Sequence, residues 1–148
     1  MLRGESELSE NIPVTKGIHH VGLTVSDLEG SANFFKALLG WSEVRRDPDY
    51  PAIFVSDGKI MITLWGVKSE EPVEFNKNQN VGLHHLALQV ESMEELDNIQ
   101  SKLSNSNIKF EFHPEPLRGG PAKHMMCYEP SGIRVEHKAY EKSYFFKK

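Results

Sequence analysis

A nine-residue stretch that occurs twice constrains this chain more than any other feature. Gly17-Ile18-His19-His20-Val21-Gly22-Leu23-Thr24-Val25 returns without a gap, sixty-five residues on, as Gly82-Leu83-His84-His85-Leu86-Ala87-Leu88-Gln89-Val90. Each copy is β-branched or apolar and alternates in character, which predicts a strand. Successive strand side chains point to opposite faces. His19, Val21, Leu23 and Val25 therefore share one face, and His20, Gly22 and Thr24 the other. The second copy divides in the same way, with His84, Leu86, Leu88 and Val90 against His85, Ala87 and Gln89. One face is apolar; the other is small or polar and led by a histidine. A duplicated unit of this kind can turn two imidazoles, His20 and His85, into one cavity. His19 and His84 fall on the apolar side and read as strand-end or interface residues.

The order of elements after each copy also repeats. Asp27 caps a helix with Leu28, Ala32, Phe35 and Leu39 at helical spacing, closed by Gly40. Strands are expected at 41–46, 52–55 and 60–65, the last two joined through Asp57-Gly58. After the second copy, Ser92 caps a helix over 93–104, and strands are expected at 108–113, 124–128 and 133–139. Residues 114–121 read as a loop whose Arg118-Gly119-Gly120 is either a mobile lid or a plain long turn. Each half is thus β-α-β-β-β and the fold class is α+β. The expected boundaries are an arm at 1–14, a first module at 15–66, a linker at 67–80, a second module at 81–139 and a tail at 140–148.

Composition narrows the partners. At 148 residues the chain is one domain or two small halves sharing a core. A net charge of −4 with no basic stripe argues against nucleic acid. No apolar run approaches the ~20 residues of a membrane span, and the first residues lack the apolar core of a signal peptide. Cys127 is the sole cysteine, so no disulfide framework or thiolate cluster is expected. Together these point to a cytoplasmic protein.

The last strand supplies a third candidate ligand. Ile133 and Val135 lie on one face, Arg134 and Glu136 on the other. If the apolar face packs under the helices, Glu136 points into the cavity with the histidines. An inward carboxylate is costly unless paired or bound to a cation. Two imidazoles and a carboxylate suit a divalent metal with open positions: Fe(II) or Mn(II), with Zn(II) or Ni(II) also compatible. The counterpart of Glu136 in the first half is Thr63 by face, or Ile62 when counted from the turn glycine; neither is a carboxylate. Met61, Thr63, Trp65 and Thr24 would wall the cavity, or belong to ordinary core. His124 alternates with Met126 and Tyr128, and reads either as a catalytic acid, base or substrate donor or as a partly exposed strand histidine. Arg134 would bind an anionic substrate or pair with a nearby acid.

The His20-Val21-x-Leu23-x-Val25-x-Asp27-Leu28 opening, the Phe34-Phe35-x3-Leu39-Gly40-Trp41 helix end and the Glu129-Pro130-Ser131-Gly132-x3-Glu136 close resemble the vicinal oxygen chelate superfamily. That group includes glyoxalase I, methylmalonyl-CoA epimerase, extradiol dioxygenases and fosfomycin-modifying enzymes. The resemblance covers residues 17–140. It implies metal ligands at His20, His85 and Glu136, a curled sheet around one divalent metal, and a homodimer whose modules pair within or between chains. It also implies a lyase, isomerase or ring-cleaving dioxygenase acting on a small oxygen-rich molecule. The chain departs from the subfamilies at Thr63, where glyoxalase I has a glutamate and the epimerase a glutamine. It departs again at Met126, where extradiol dioxygenases have a tyrosine, and at Gly22, where fosfomycin enzymes have a threonine. The alternative implied function is metal-free sequestration of a drug, as in bleomycin-resistance proteins, which predicts aromatics in place of the cavity histidines.

Overall fold

The computed structural model describes residues 11–141. Most of the expected arm, up to residue 10, and the tail from 142 lie outside the described residues. The first sheet contains β1 (His20–Val25), β2 (Ser42–Asp47), β3 (Ala52–Ser56) and β4 (Met61–Gly66), ordered β1-β4-β3-β2. The second contains β5 (Leu86–Gln89), β6 (Lys109–Pro116), β7 (Ala122–Tyr128) and β8 (Arg134–Tyr140), ordered β5-β8-β7-β6. In both sheets the leading strand runs parallel to the last, and the other pairs are antiparallel. The architecture is the expected α+β one, an open pair of mixed sheets. Among the described residues no helix is long and apolar enough to cross a membrane.

The helices differ in regularity. After β5, Ser92 Oγ accepts from Glu95 N at 3.1 Å and starts α2 (Met93–Asn105), which buries Leu96 and Leu103. After β1, Asp27 Oδ1 accepts from Gly30 N at 3.0 Å and starts α1 (Leu28–Asn33). The apolar spacing predicts one continuous helix to Leu39. Instead α1 widens into a π turn at Phe34–Leu38, where two consecutive phenylalanines are both buried. Phe35 packs on Trp41 and Phe34 reaches the His137 ring of the second sheet. The repeated strands are shorter than the alternation implies. β1 starts at His20 and β5 at Leu86, so His85 stands just ahead of its strand. β6 runs on to Pro116, into residues expected to be loop. Register shifts after Phe110 and Phe112 accommodate Pro114 on this edge strand.

The apolar faces of both sheets and the helices share one core, from Leu23, Ile62 and Leu64 to Met125, Cys127 and Val135. The opposite faces are open, and register arranges them in rows. Gly22 pairs with Thr63, Thr63 with Phe54, and Phe54 with Arg45. In the second sheet Ala87 pairs with Glu136, Glu136 with Met126, and Met126 with Phe112. Gly22 and Ala87 are equivalent in the repeat, so the counterpart of Glu136 is Thr63, not Ile62.

A polar staple ties the two halves. Ser131 Oγ accepts from Asp27 N at 3.0 Å, and Ser31 Oγ donates to the Glu129 carboxylate. Glu129 is 2% exposed and accepts two further bonds at Oε1, from Ser131 N at 2.7 Å and Ile133 N at 3.0 Å. Burial pushes its carboxyl above the usual range, and these bonds partly offset the shift. Glu129→Ala would orphan three donors and is expected to cost about 2–3 kcal/mol in urea unfolding, whereas Glu129→Gln keeps the two backbone bonds and costs about half as much. Equal losses for both variants would show that the staple contributes through shape alone.

Candidate metal centre

Glu136 projects from the open face of β8, one pleat after Arg134, and is only 6% exposed. Its two oxygens meet different imidazoles. His85 Nε2 lies 3.4 Å from Oε1, and His124 Nδ1 lies 2.5 Å from Oε2. His124 comes from β7, where the Phe112 ring braces it at 4.8 Å. His85 Nδ1 is 2.8 Å from His84 Nδ1, which leaves Nε2 as the nitrogen turned to the carboxylate. Burial lowers the pKa of His85, against the raising effect of Glu136. A neutral imidazole with a free lone pair is the form that binds metal.

Donors bonded to one cation at about 2.0–2.2 Å each stand roughly 3–3.5 Å apart. The separation between His85 Nε2 and Glu136 Oε1 fits that spacing. His124 fits a different role, since a ligating carboxylate keeps its orientation when its other oxygen is hydrogen-bonded.

His20 is placed elsewhere. It is exposed at the start of β1, with Nδ1 2.9 Å from His19 Nδ1. The two His-His steps match, with ring centroids 5.2 Å apart in the first and 5.0 Å in the second. No hydrogen bond or ion pair joins His20 to His85, His124 or Glu136, and among the described residues no three metal-type side chains converge on one centre. The chain thus sets His85 and His124 on the two separate oxygens of Glu136 and leaves His20 on the other sheet.

The remaining candidates sort by sheet. Met61 stands opposite His20 in register and is half-buried; Thr24 is exposed. Thr63 is 2% exposed and accepts from Trp65 Nε1 at 2.9 Å. Arg134 is paired with an acid: Nε and Nη2 reach the two Glu111 oxygens at 2.9 and 2.7 Å. Tyr128 Oη and Lys77 Nζ donate to the same carboxylate at 2.5 and 3.2 Å.

Two residues escape the sequence reading. Glu111 joins this network because the register shift in β6 breaks the alternation that would assign its face. His137 lies next to Glu136 but on the buried face, 1% exposed, with neither ring nitrogen hydrogen-bonded. Burial pushes its pKa down to about 4. Alternation along β8 is the available signal for it.

The two repeated β-α-β-β-β sheets with an inward His/Glu set define a class of fold, and similarity to known proteins gives the family. Residues 17–137 match the family model of the Glyoxalase/Bleomycin resistance protein/Dioxygenase superfamily, and the chain belongs to it. It is 32% identical over 127 residues to the uncharacterized protein YqjT of Bacillus subtilis (strain 168), spanning 80% of this chain and 95% of that one. It is 36% identical over 89 residues to the trivalent organoarsenical cleaving enzyme of Bacillus sp. (strain MD1), spanning 60% of this chain and half of that protein. It superposes with a TM-score of 0.74 at 26% identity on a glyoxylase/bleomycin resistance protein/dioxygenase domain from Frankia sp. EAN1pec, covering 86% of this chain and 94% of that one.

Arg134 holds the Glu111 carboxyl well below its usual range. A depressed carboxyl stabilises the fold above its unfolded pKa of about 4.3, and that contribution is lost as pH falls toward the folded value. Glu111→Gln should therefore cost about 1–3 kcal/mol at pH 7 and progressively less below pH 4, read as urea midpoints against wild type. A wild-type to variant difference that is constant from pH 7 to pH 3 would contradict the pairing.

Proposed function

We propose that this chain is a metal-dependent enzyme that chelates neighbouring oxygens of a small organic substrate. The observation that carries this reading is the buried Glu136 carboxylate, with His85 Nε2 at ligand-pair distance from one oxygen and His124 bonded to the other. His85 and Glu136 are two ligands, and His20 is the third. The bound cation would act as a Lewis acid, polarising the substrate oxygens. Two histidines and one carboxylate suit Fe(II) or Mn(II), with Zn(II) or Ni(II) compatible.

The chain's own residues supply the rest. His124 orients the carboxylate and offers a proton-transfer group, which a lyase or isomerase requires. Thr63 supplies no carboxylate base, so proton transfer falls to His124. Thr24, Met61 and Trp65 wall the substrate, and Arg134, engaged by Glu111, shapes the floor below His84. Cleavage and isomerisation fit this set better than oxygenation, because a proton carrier stands beside the ligand.

His20 does not approach Glu136 within the chain, while β1 and β5 are both sheet edges. In this reading a homodimer sets the first sheet of one copy against the second sheet of the other, and each site takes His20 from a second copy. The test is a mixed dimer of one His20→Ala chain and one His85→Ala chain, co-expressed under different tags. One of its two sites carries both lesions and the other none, so it should hold about half the wild-type metal, while either variant homodimer holds little. A mixed dimer as empty as its parents would place all the ligands in one chain. Wild type purified without chelator or polyhistidine tag and holding less than about 0.1 metal per chain would end the metal reading.

A further inference from the structure

The open face of the first sheet carries an aromatic shelf that includes Trp65, placed at the substrate above, and extends beyond it. Trp65 lies against both Tyr50 and Phe54, with ring centroids 4.7 and 5.3 Å apart. Its indole N–H donates to Thr63 Oγ1, which fixes the ring. Tyr50 is exposed, with Lys68 Nζ 3.8 Å over its ring, and Phe54 and Trp65 are half-buried. At the β1 end the shelf is open because Gly22 has no side chain. A Cβ there would meet Thr63 Oγ1 at 3.2 Å and Trp65 Nε1 at 3.4 Å. At the β2 end the Arg45 guanidinium lies over the Phe54 ring, 5.6 Å from its centroid, which leaves the Trp65 side of the shelf for a ligand.

The state of Arg45 is informative. Its neighbour Arg46, on the opposite face, is bound by Glu29 and Glu43. Arg134 is bound by Glu111. Among the described residues Arg45 has no carboxylate within salt-bridge reach. An exposed guanidinium beside aromatic faces suits a planar anion: the acid group takes the forked donors and the conjugated part lies on the rings.

We infer that this shelf selects the substrate by binding the flat, conjugated or aromatic part of an anionic molecule, with its acid group on Arg45. The inference rests on the proposed function only for its position: the proposed dimer sets this face of the first sheet against the second sheet of another copy, so a ligand on the shelf borders the reacting end. The shelf itself consists of this chain's residues and does not need the metal.

The experiment uses the metal-free full chain, labelled with nitrogen-15, and follows the Trp65 indole N–H resonance, assigned by its loss in Trp65→Phe. Benzoate is the probe; benzamide has the ring without the charge, and acetate the charge without the ring. Benzoate should shift the resonance at concentrations roughly tenfold below those needed for either control, and Arg45→Gln should weaken benzoate by roughly tenfold while leaving the free spectrum unchanged. Arg45→Lys should recover part of the loss. The same titration in His85→Ala separates the two proposals, because an unchanged benzoate affinity there supports the shelf whatever the metal content proves to be. Benzoate no tighter than the controls, no effect of Arg45→Gln, or a benzoate shift that depends on His85 would overturn the inference.

Discussion

Glu136 is the constraint around which the second module is built. A carboxylate 6% exposed loses most of its hydration, and such a loss must be answered by cations or hydrogen-bond donors. Here the answer comes from two imidazoles on different elements, one oxygen each. β8 holds the carboxylate, β7 brings His124, and the start of β5 brings His85. The parallel pairing of β5 with β8 sets the last of these distances, and the helix between them makes a parallel pairing possible. Below the same face, Arg134 and Glu111 form a second charge pair that Tyr128 and Lys77 close. The open face of this sheet therefore carries two partnered carboxylates, Glu136 and Glu111.

The first module repeats the frame with other chemistry. Thr63 stands where Glu136 would, its hydroxyl engaged by the Trp65 indole, and the row continues through Phe54 to Arg45. One half thus presents a buried carboxylate between two imidazoles and the other an aromatic row. The Asp27, Ser31, Glu129 and Ser131 staple sets how the halves meet. Its Ser31–Glu129 bond is buried, so that bond is worth more than it would be at the surface.

The faces are legible in the sequence and the edges are not. Period-two alternation in Gly17–Val25 and its copy places His20 and His85 on the open side, and the same rule places Glu136 and His124 there. Alternation is also enough to put His137 on the buried side, one residue from Glu136. Where a strand carries a register shift the rule fails, and Glu111 is the residue lost to it. The π turn at Phe34–Leu38 is hidden for a related reason: Leu28, Ala32, Phe35 and Leu39 keep helical spacing whether or not the turn widens. Alternation says which way a side chain points but not which sheet edges adjoin, so it cannot separate His20 from the Glu136 cluster.

The most direct measurement of the central claim is anomalous X-ray scattering from crystals of the chain purified without chelator, collected at the absorption edge of whatever metal elemental analysis finds. The expected result is a peak about 2.0–2.2 Å from both His85 Nε2 and a Glu136 oxygen, with His124 still bonded to the other oxygen. A metal peak away from Glu136, or a His85–Glu136 pair joined by a direct hydrogen bond with the metal bound elsewhere, would contradict it.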